Sequence, residues 1–192
     1  MTDRPNKRPP AKISPSYLEN AALHYLERYA SSRANLRRVL MRKVDRSLTH
    51  WGGERETAAA QVDTVISKLA TLGYLDDSAY AETKARALHR RGGSLRVIRA
   101  SLAAKGVEAE TTEAALIALA EDSGLPDLAA AIAFARRRRL GPFRLPEVRA
   151  ELRTKDLAAL GRAGFSWEIA RAVTEAESVE ALAGLLEDSP AS

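Results

Sequence analysis

The 192-residue sequence contains no cysteine, which excludes disulfide staples, thiolate-ligated zinc, iron–sulfur clusters and thiol catalysis. Aromatic residues make up only 5% of it, and β-branched runs bounded by turn residues are almost missing, so little of it reads as strand. Its longest apolar stretch, Leu128 to Ala135, falls far short of the roughly 20 residues that cross a bilayer. The amino end, MTDRPNKRPPAK, is basic and lacks the apolar segment of a secretory signal. No membrane association and a cytoplasmic address are expected. Histidine is scarce as well. His24, His50 and His89 are the only three, and none stands three or four residues from another, so no helical metal pair forms.

Catalytic patterns are equally thin. Gly92-Gly93-Ser94 lacks the spacing and the preceding strand of a phosphate loop, and there is no Gly-x-Ser-x-Gly elbow. Asp76-Asp77 reads as a helix cap with a second acid favouring the helix dipole, in preference to a metal-binding carboxylate pair. No enzymatic activity, cofactor or metal is expected.

What the chain does have is charge in blocks. Thirty Lys and Arg against 25 Asp and Glu give a net +5. Arg28 to Arg46 holds seven basic residues and one acid, whereas Phe165 to Ser192 holds six acids and one arginine. Such blocks set up a surface field. The arginines also recur at helical spacing: Arg33, Arg37, Arg38, Arg42 and Lys43 in one stretch, then Arg90, Arg91, Arg96 and Arg99, then Arg136, Arg137, Arg138 and Arg139. Planar guanidinium forks suit arrays of phosphate or carboxylate. Cations at a helix C-terminus complement its dipole, but four in a row exceed that need. The aromatics fall mostly at core positions, so base stacking is not the expected use.

Apolar residues recur with helical period. Helices are expected from about Ser16, after a cap at Ser31 or Ser32, from about Thr57 to Gly73, after Asp76 or Asp77 to about His89, from Ser94 to Gly106, and from Thr111 or Thr112 to Gly124. Further helices follow from Asp127, from Pro146 to about Ala163, and after Ser166. Leu40, Leu102 and Leu160 close comparable segments, giving an internal repeat of about 60 residues and three helices. The fold class is therefore all-α, three tandem three-helix units (about nine helices) in an elongated curved body. Residues 1–15 read as a disordered basic arm, 16–75, 76–125 and 126–178 as the three repeats, and 179–192 as an acidic C-terminal tail.

One string stands out: Leu72-Gly73-Tyr74-Leu75-Asp76-Asp77 followed by Tyr80-Ala81. It resembles the Gly-Tyr-(Leu/Ile)-Asp-Asp-x-x-(Phe/Tyr)-Ala signature of the RecX regulatory proteins. Supporting landmarks are Ser31-Ser32-Arg33 with Leu36, the Leu-x-x-Lys-Gly-Val at Leu102 to Val107, and Arg162 to Ser166 with Gly164 and Phe165. Val44 departs from the pattern by replacing a glycine, and Leu140 to Thr154 aligns with nothing. The resemblance implies three tandem three-helix repeats and regulation of the RecA recombinase. Such a protein lies in the groove of the RecA–single-stranded DNA filament and limits its extension and strand exchange. The expected partners are then the RecA filament and, weakly and salt-dependently, single-stranded DNA, with the chain acting as a monomer. The arginines and lysine named above are the candidate contacts. Gly73, Tyr74, Leu75, Asp76, Asp77, Gly106, Gly164 and Phe165 are expected to shape the repeats. Two other readings remain open: a free-standing helical DNA-binding module, and a helical-repeat adaptor for an acidic protein.

Overall fold

The structure, a computed structural model, describes residues 9–187. Among these residues it contains ten α-helices and no strand. The chain divides into two compact units, Met1–Tyr80 and Ala81–Ser192. The helices follow one another as tandem triplets, with one more helix after the third.

The first unit is built on α1 (Pro15–Leu26), α2 (Arg33–Trp51) and α3 (Arg55–Thr71). Ser14 and Ser32 open α1 and α2, each hydroxyl oxygen accepting the amide three residues on, from Tyr17 and Asn35 at 3.2 Å. Leu18, Ala22, Leu36, Leu40, Val44, Val62, Val65 and Leu69 form the core, and Leu75 closes it from below the α3 turn. Residues 9–13, part of the stretch expected as a disordered arm, are seated here: Ser47 Oγ–H donates to the Ala11 carbonyl (2.8 Å) and Trp51 Nε1–H to the Pro10 carbonyl (2.7 Å). Residues 1–8 of that arm, and 188–192 of the expected acidic tail, lie outside the described residues.

The second unit holds most of α4 (Asp77–Arg90), then α5 (Leu95–Ala104), α6 (Ala109–Ser123), α7 (Pro126–Arg138), α8 (Pro146–Arg162), α9 (Trp167–Glu175) and α10 (Val179–Glu187). Ser94 and Ser166 cap α5 and α9 as Ser14 and Ser32 cap theirs. The expected cap at Thr111 or Thr112 is not there. Glu108 holds that position without a side-chain bond, and Thr112 is buried among the α6 core residues Ala115, Leu116 and Leu119, because it falls on the same helical face. Within the expected tail, α10 places Leu182 in the core formed by α7, α8 and α9.

The first two repeats correspond residue by residue, with a shift between them. Ser32 and Ser94, Arg37 and Arg99, and Leu40 and Leu102 are each 62 residues apart, whereas Asp63 and Glu113, Leu69 and Leu119, and Asp77 and Asp127 are each 50 apart. The difference arises at one corner. Helix α5 stops at Gly106 (φ 73°), where the Val107 amide turns back to the Leu102 carbonyl. Val44 stands at the corresponding place, so α2 runs on to Trp51 and stops at Gly52 (φ 72°).

Gly73 (φ 78°) ends α3 in the same manner, its amide bonding to the Ala70 carbonyl and that of Tyr74 to the Leu69 carbonyl. A side chain there would meet nothing within 4 Å, so only the left-handed backbone opposes it. Gly73→Val is expected to cost about 1–2 kcal/mol, read as a modest fall in a urea midpoint; an unchanged midpoint would contradict this turn.

Candidate binding surface

Asp76 and Asp77 do separate jobs. Asp76 Oδ1 accepts the Ala79 amide and caps α4 (3.0 Å). Asp77 Oδ1 reaches back to the first amide of α2, at Arg33 (2.8 Å). The arrangement recurs in the second unit, where Asp127 Oδ1 accepts the first amide of α5, at Leu95 (2.7 Å). Each of these helices therefore carries two caps, its own serine and an aspartate from the helix that opens the next triplet. Both carboxylates serve backbone amides. Among the described residues no group of three or more His, Asp or Glu side chains gathers to hold a metal ion.

The candidate basic residues fall into distinct classes. Arg37 forks onto Asp63 through Nε (2.6 Å) and Nη2 (3.1 Å), and Arg99 forks onto Glu113 through Nε (2.6 Å) and Nη2 (2.9 Å). These equivalent pairs tie the second helix of a triplet to the third. In each, the guanidinium hydrogen bond holds the carboxyl below its ordinary range and raises the arginine. Both arginines lie at the surface, but their forks are occupied. Arg33, Arg38 and Arg42 are exposed on α2 and Lys43 is half-buried.

In the second unit Arg90, Arg91, Arg96 and Arg136 to Arg139 are all exposed. Arg136 lies over the Phe143 ring and Arg138 over the Phe134 ring, each guanidinium 5.6 Å from the centroid. Arg139 ends α7 with φ 54°, the one non-glycine residue with positive φ among the described residues. Arg96 lies against the turn after α8, where a methyl on Gly164 (φ 98°) would stand 3.0 Å from its Nε and 2.5 Å from Ser94 Oγ.

The aromatics correct the sequence expectation. Tyr74 is 58% exposed, Trp167 60%, Tyr29 57% and Trp51 46%. Leu75, not Tyr74, is the buried member of the Gly-Tyr-Leu element. Position after a glycine stop does not decide it, since Val107 and Phe165 stand at the same place after Gly106 and Gly164 and are buried.

The stretch from Leu140 to Thr154 is organised by a residue that no motif or spacing singles out. Asp156, 1% exposed in the middle of α8, accepts the Gly141 amide (2.9 Å) and both Nε (2.7 Å) and Nη2 (2.6 Å) of Arg144. Arg149 completes the knot by donating to the Pro142, Arg144 and Glu177 carbonyls.

Known proteins share this chain's sequence along nearly its whole length. Residues 76–116 match the family described as RecX, second three-helix domain. Over 174 residues the chain is 49% identical to the Regulatory protein RecX of Myxococcus xanthus, spanning 90% of this chain and 91% of that protein. It is 35% identical over 179 residues to the Regulatory protein RecX of Agrobacterium fabrum, spanning 91% and 90%. The crystal structure of RecX from Lactobacillus salivarius shares the fold, with a TM-score of 0.57 over 90% of this chain and 96% of that one at 22% identity. On this identity, extended over nine-tenths of its length, the chain belongs to the RecX family of regulatory proteins.

Proposed function

We propose that this chain restrains the RecA recombinase by seating arginine-bearing helices on the RecA–single-stranded DNA filament, without catalysing a reaction itself. On this reading residues 16–75, 76–125 and 126–178 act as three successive contact modules, and the filament's carboxylates and phosphates are what the arginines meet. The observation that carries it, in a member of this family, is a set of exposed guanidinium groups with no acidic partner among the described residues: Arg90, Arg91, Arg137 and Arg139. Each offers a full fork of donors to an anion.

The test is RecA-driven strand exchange, titrated with amounts of this protein well below those of RecA. The wild type should inhibit. Arg137→Glu with Arg139→Glu, which leaves the ring-stacked Arg136 and Arg138 in place, should weaken inhibition about tenfold while preserving the helical circular dichroism spectrum. Binding to single-stranded DNA alone should fall steeply as salt rises, because released counterions drive it. Equal inhibition by wild type and variant, or a flat salt response, would contradict the assignment.

A further inference from the structure

Beside the α4–α5 turn, between the C-terminal ends of α7 and α8, lies a groove of about 420 Å³ lined by Phe134, Arg138, Leu140, Ala159, Arg162 and Ala163. Its floor is apolar, and its only charged lining residues are two arginines. Neither has an acidic partner among the described residues. The simplest use for arginines at helix C-termini is to hydrogen-bond the last carbonyls, but most of those carbonyls are taken by backbone amides. The Leu140 amide bonds to the Ala135 carbonyl and that of Arg139 to Arg136; Ala163 bonds to Ala159, Gly164 to Gly161 and Phe165 to Leu160. Ser94 Oγ–H takes the Ala163 carbonyl (2.9 Å). Neither guanidinium bonds a carbonyl among the described residues, and as like charges on one groove they favour an anion between them.

We infer that this groove binds an acidic protein segment, holding an aliphatic side chain on the Phe134–Leu140–Ala159–Ala163 floor and an adjacent carboxylate between Arg138 and Arg162. Charge complementarity selects the anion. The ring geometry favours peptide over nucleic acid, because the one aromatic ring lining the groove is already engaged and offers a base a poor stacking platform: Arg138 lies over Phe134, which packs edge-to-face with Phe165 at a centroid distance of 5.9 Å. Stacking on Phe134 also fixes one guanidinium in advance, which lowers the ordering cost of binding. The inference deepens the reading above by naming the chemistry of one contact, and it rests on that reading only for the identity of the partner.

The experiment titrates the isotope-labelled full-length chain with acetyl-Glu-Leu-Asp-Asp-amide, with the same peptide carrying serine for leucine, and with an oligothymidylate, following amide resonances. The leucine peptide should saturably shift signals of Phe134, Arg138 and residues 159–163. The serine peptide should bind about tenfold more weakly. Ala159→Trp fills the groove and keeps every charge, and should reduce leucine-peptide binding at least about tenfold. Should that variant misfold, Arg138→Gln with Arg162→Gln gives the same readout from the other half of the site. The inference is overturned if the leucine peptide leaves these signals unmoved, if the oligothymidylate moves them instead, or if the folded variants bind the peptide like the wild type. No recombinase is present in this titration. Failure here beside normal inhibition of strand exchange sinks the groove alone, whereas peptide binding without inhibition of RecA sinks the reading of function alone.

Discussion

Replacing Asp156 by alanine is expected to destabilise the second unit by about 3–5 kcal/mol, since it strands the arginine that a buried carboxylate had neutralised. It also leaves the Gly141 amide without its acceptor, so the Gly141–Arg144 turn loses its anchors at both ends and keeps only its own backbone bonds and the contacts of Arg149. In a chain of this size each kcal/mol moves the midpoint by roughly 2–4 °C, so a fall of about 10 °C should appear by calorimetry. Amide exchange should quicken first around residues 141–157. A shift of only a degree or two would mean that the knot contributes little.

The same carboxylate gives the protein an acid sensitivity with a definite sign. Burial pushes the Asp156 carboxyl up, but the Arg144 hydrogen bonds, the Gly141 amide and the Arg144 charge outweigh it and hold the group below the ordinary aspartate range. A carboxyl depressed in the folded state stabilises the fold above its unfolded value of about 3.9, and that contribution disappears as pH falls through the folded value. The stability gap between wild type and Asp156→Asn should therefore be widest near neutrality and close below about pH 4. A gap independent of pH would assign the effect to packing alone.

Gly92→Ala is the second substitution with a large expected effect. Gly92 (φ 78°) brings the α4–α5 turn so close to α7 that a methyl would stand 2.6 Å from the Phe134 amide nitrogen and 2.8 Å from its Cα. Backbone cannot swing aside as a side-chain tip can. Overpacking costs about 1–3 kcal/mol and the left-handed conformation about 1–2 kcal/mol more, so a loss of about 3 kcal/mol is expected in urea unfolding. Gly73→Ala is the matched control, with the same φ and open space around it. Equal losses at the two sites would show that the approach to Phe134 is looser than the structure has it.

Much of this architecture was legible in the sequence, because serine caps, glycine stops and apolar stripes act locally. Ser32, Ser94 and Ser166 cap helices as expected, and Gly73, Gly106 and Gly164 end them with positive φ. The misreadings at Arg37, Arg99 and Asp156 depend on contacts between residues apart in the chain. Arg37 and Arg99 read as free cations because Asp63 and Glu113 lie 26 and 14 residues away. Asp156 resembles any solvated helix acid until Arg144 and Gly141 are folded onto it. Thr112 resembles a cap because threonine often is one, yet its helix begins earlier and turns it inward. Tyr74 and Leu75 are adjacent and both apolar in character, and only the folded turn distinguishes the exposed tyrosine from the buried leucine.

The aspartates that reach backward tie the middle helix of a triplet to residues synthesised after it. Helix α2 has its own serine when residue 51 has emerged, but its leading amide at Arg33 waits for Asp77, more than a full helix later in translation. The leading amide of α5, at Leu95, waits in turn for Asp127. A chain ending at residue 75 or 125 thus has every residue of a triplet but lacks the aspartate that takes the first amide of its middle helix. The second cap of each of these two helices comes from the triplet that follows it.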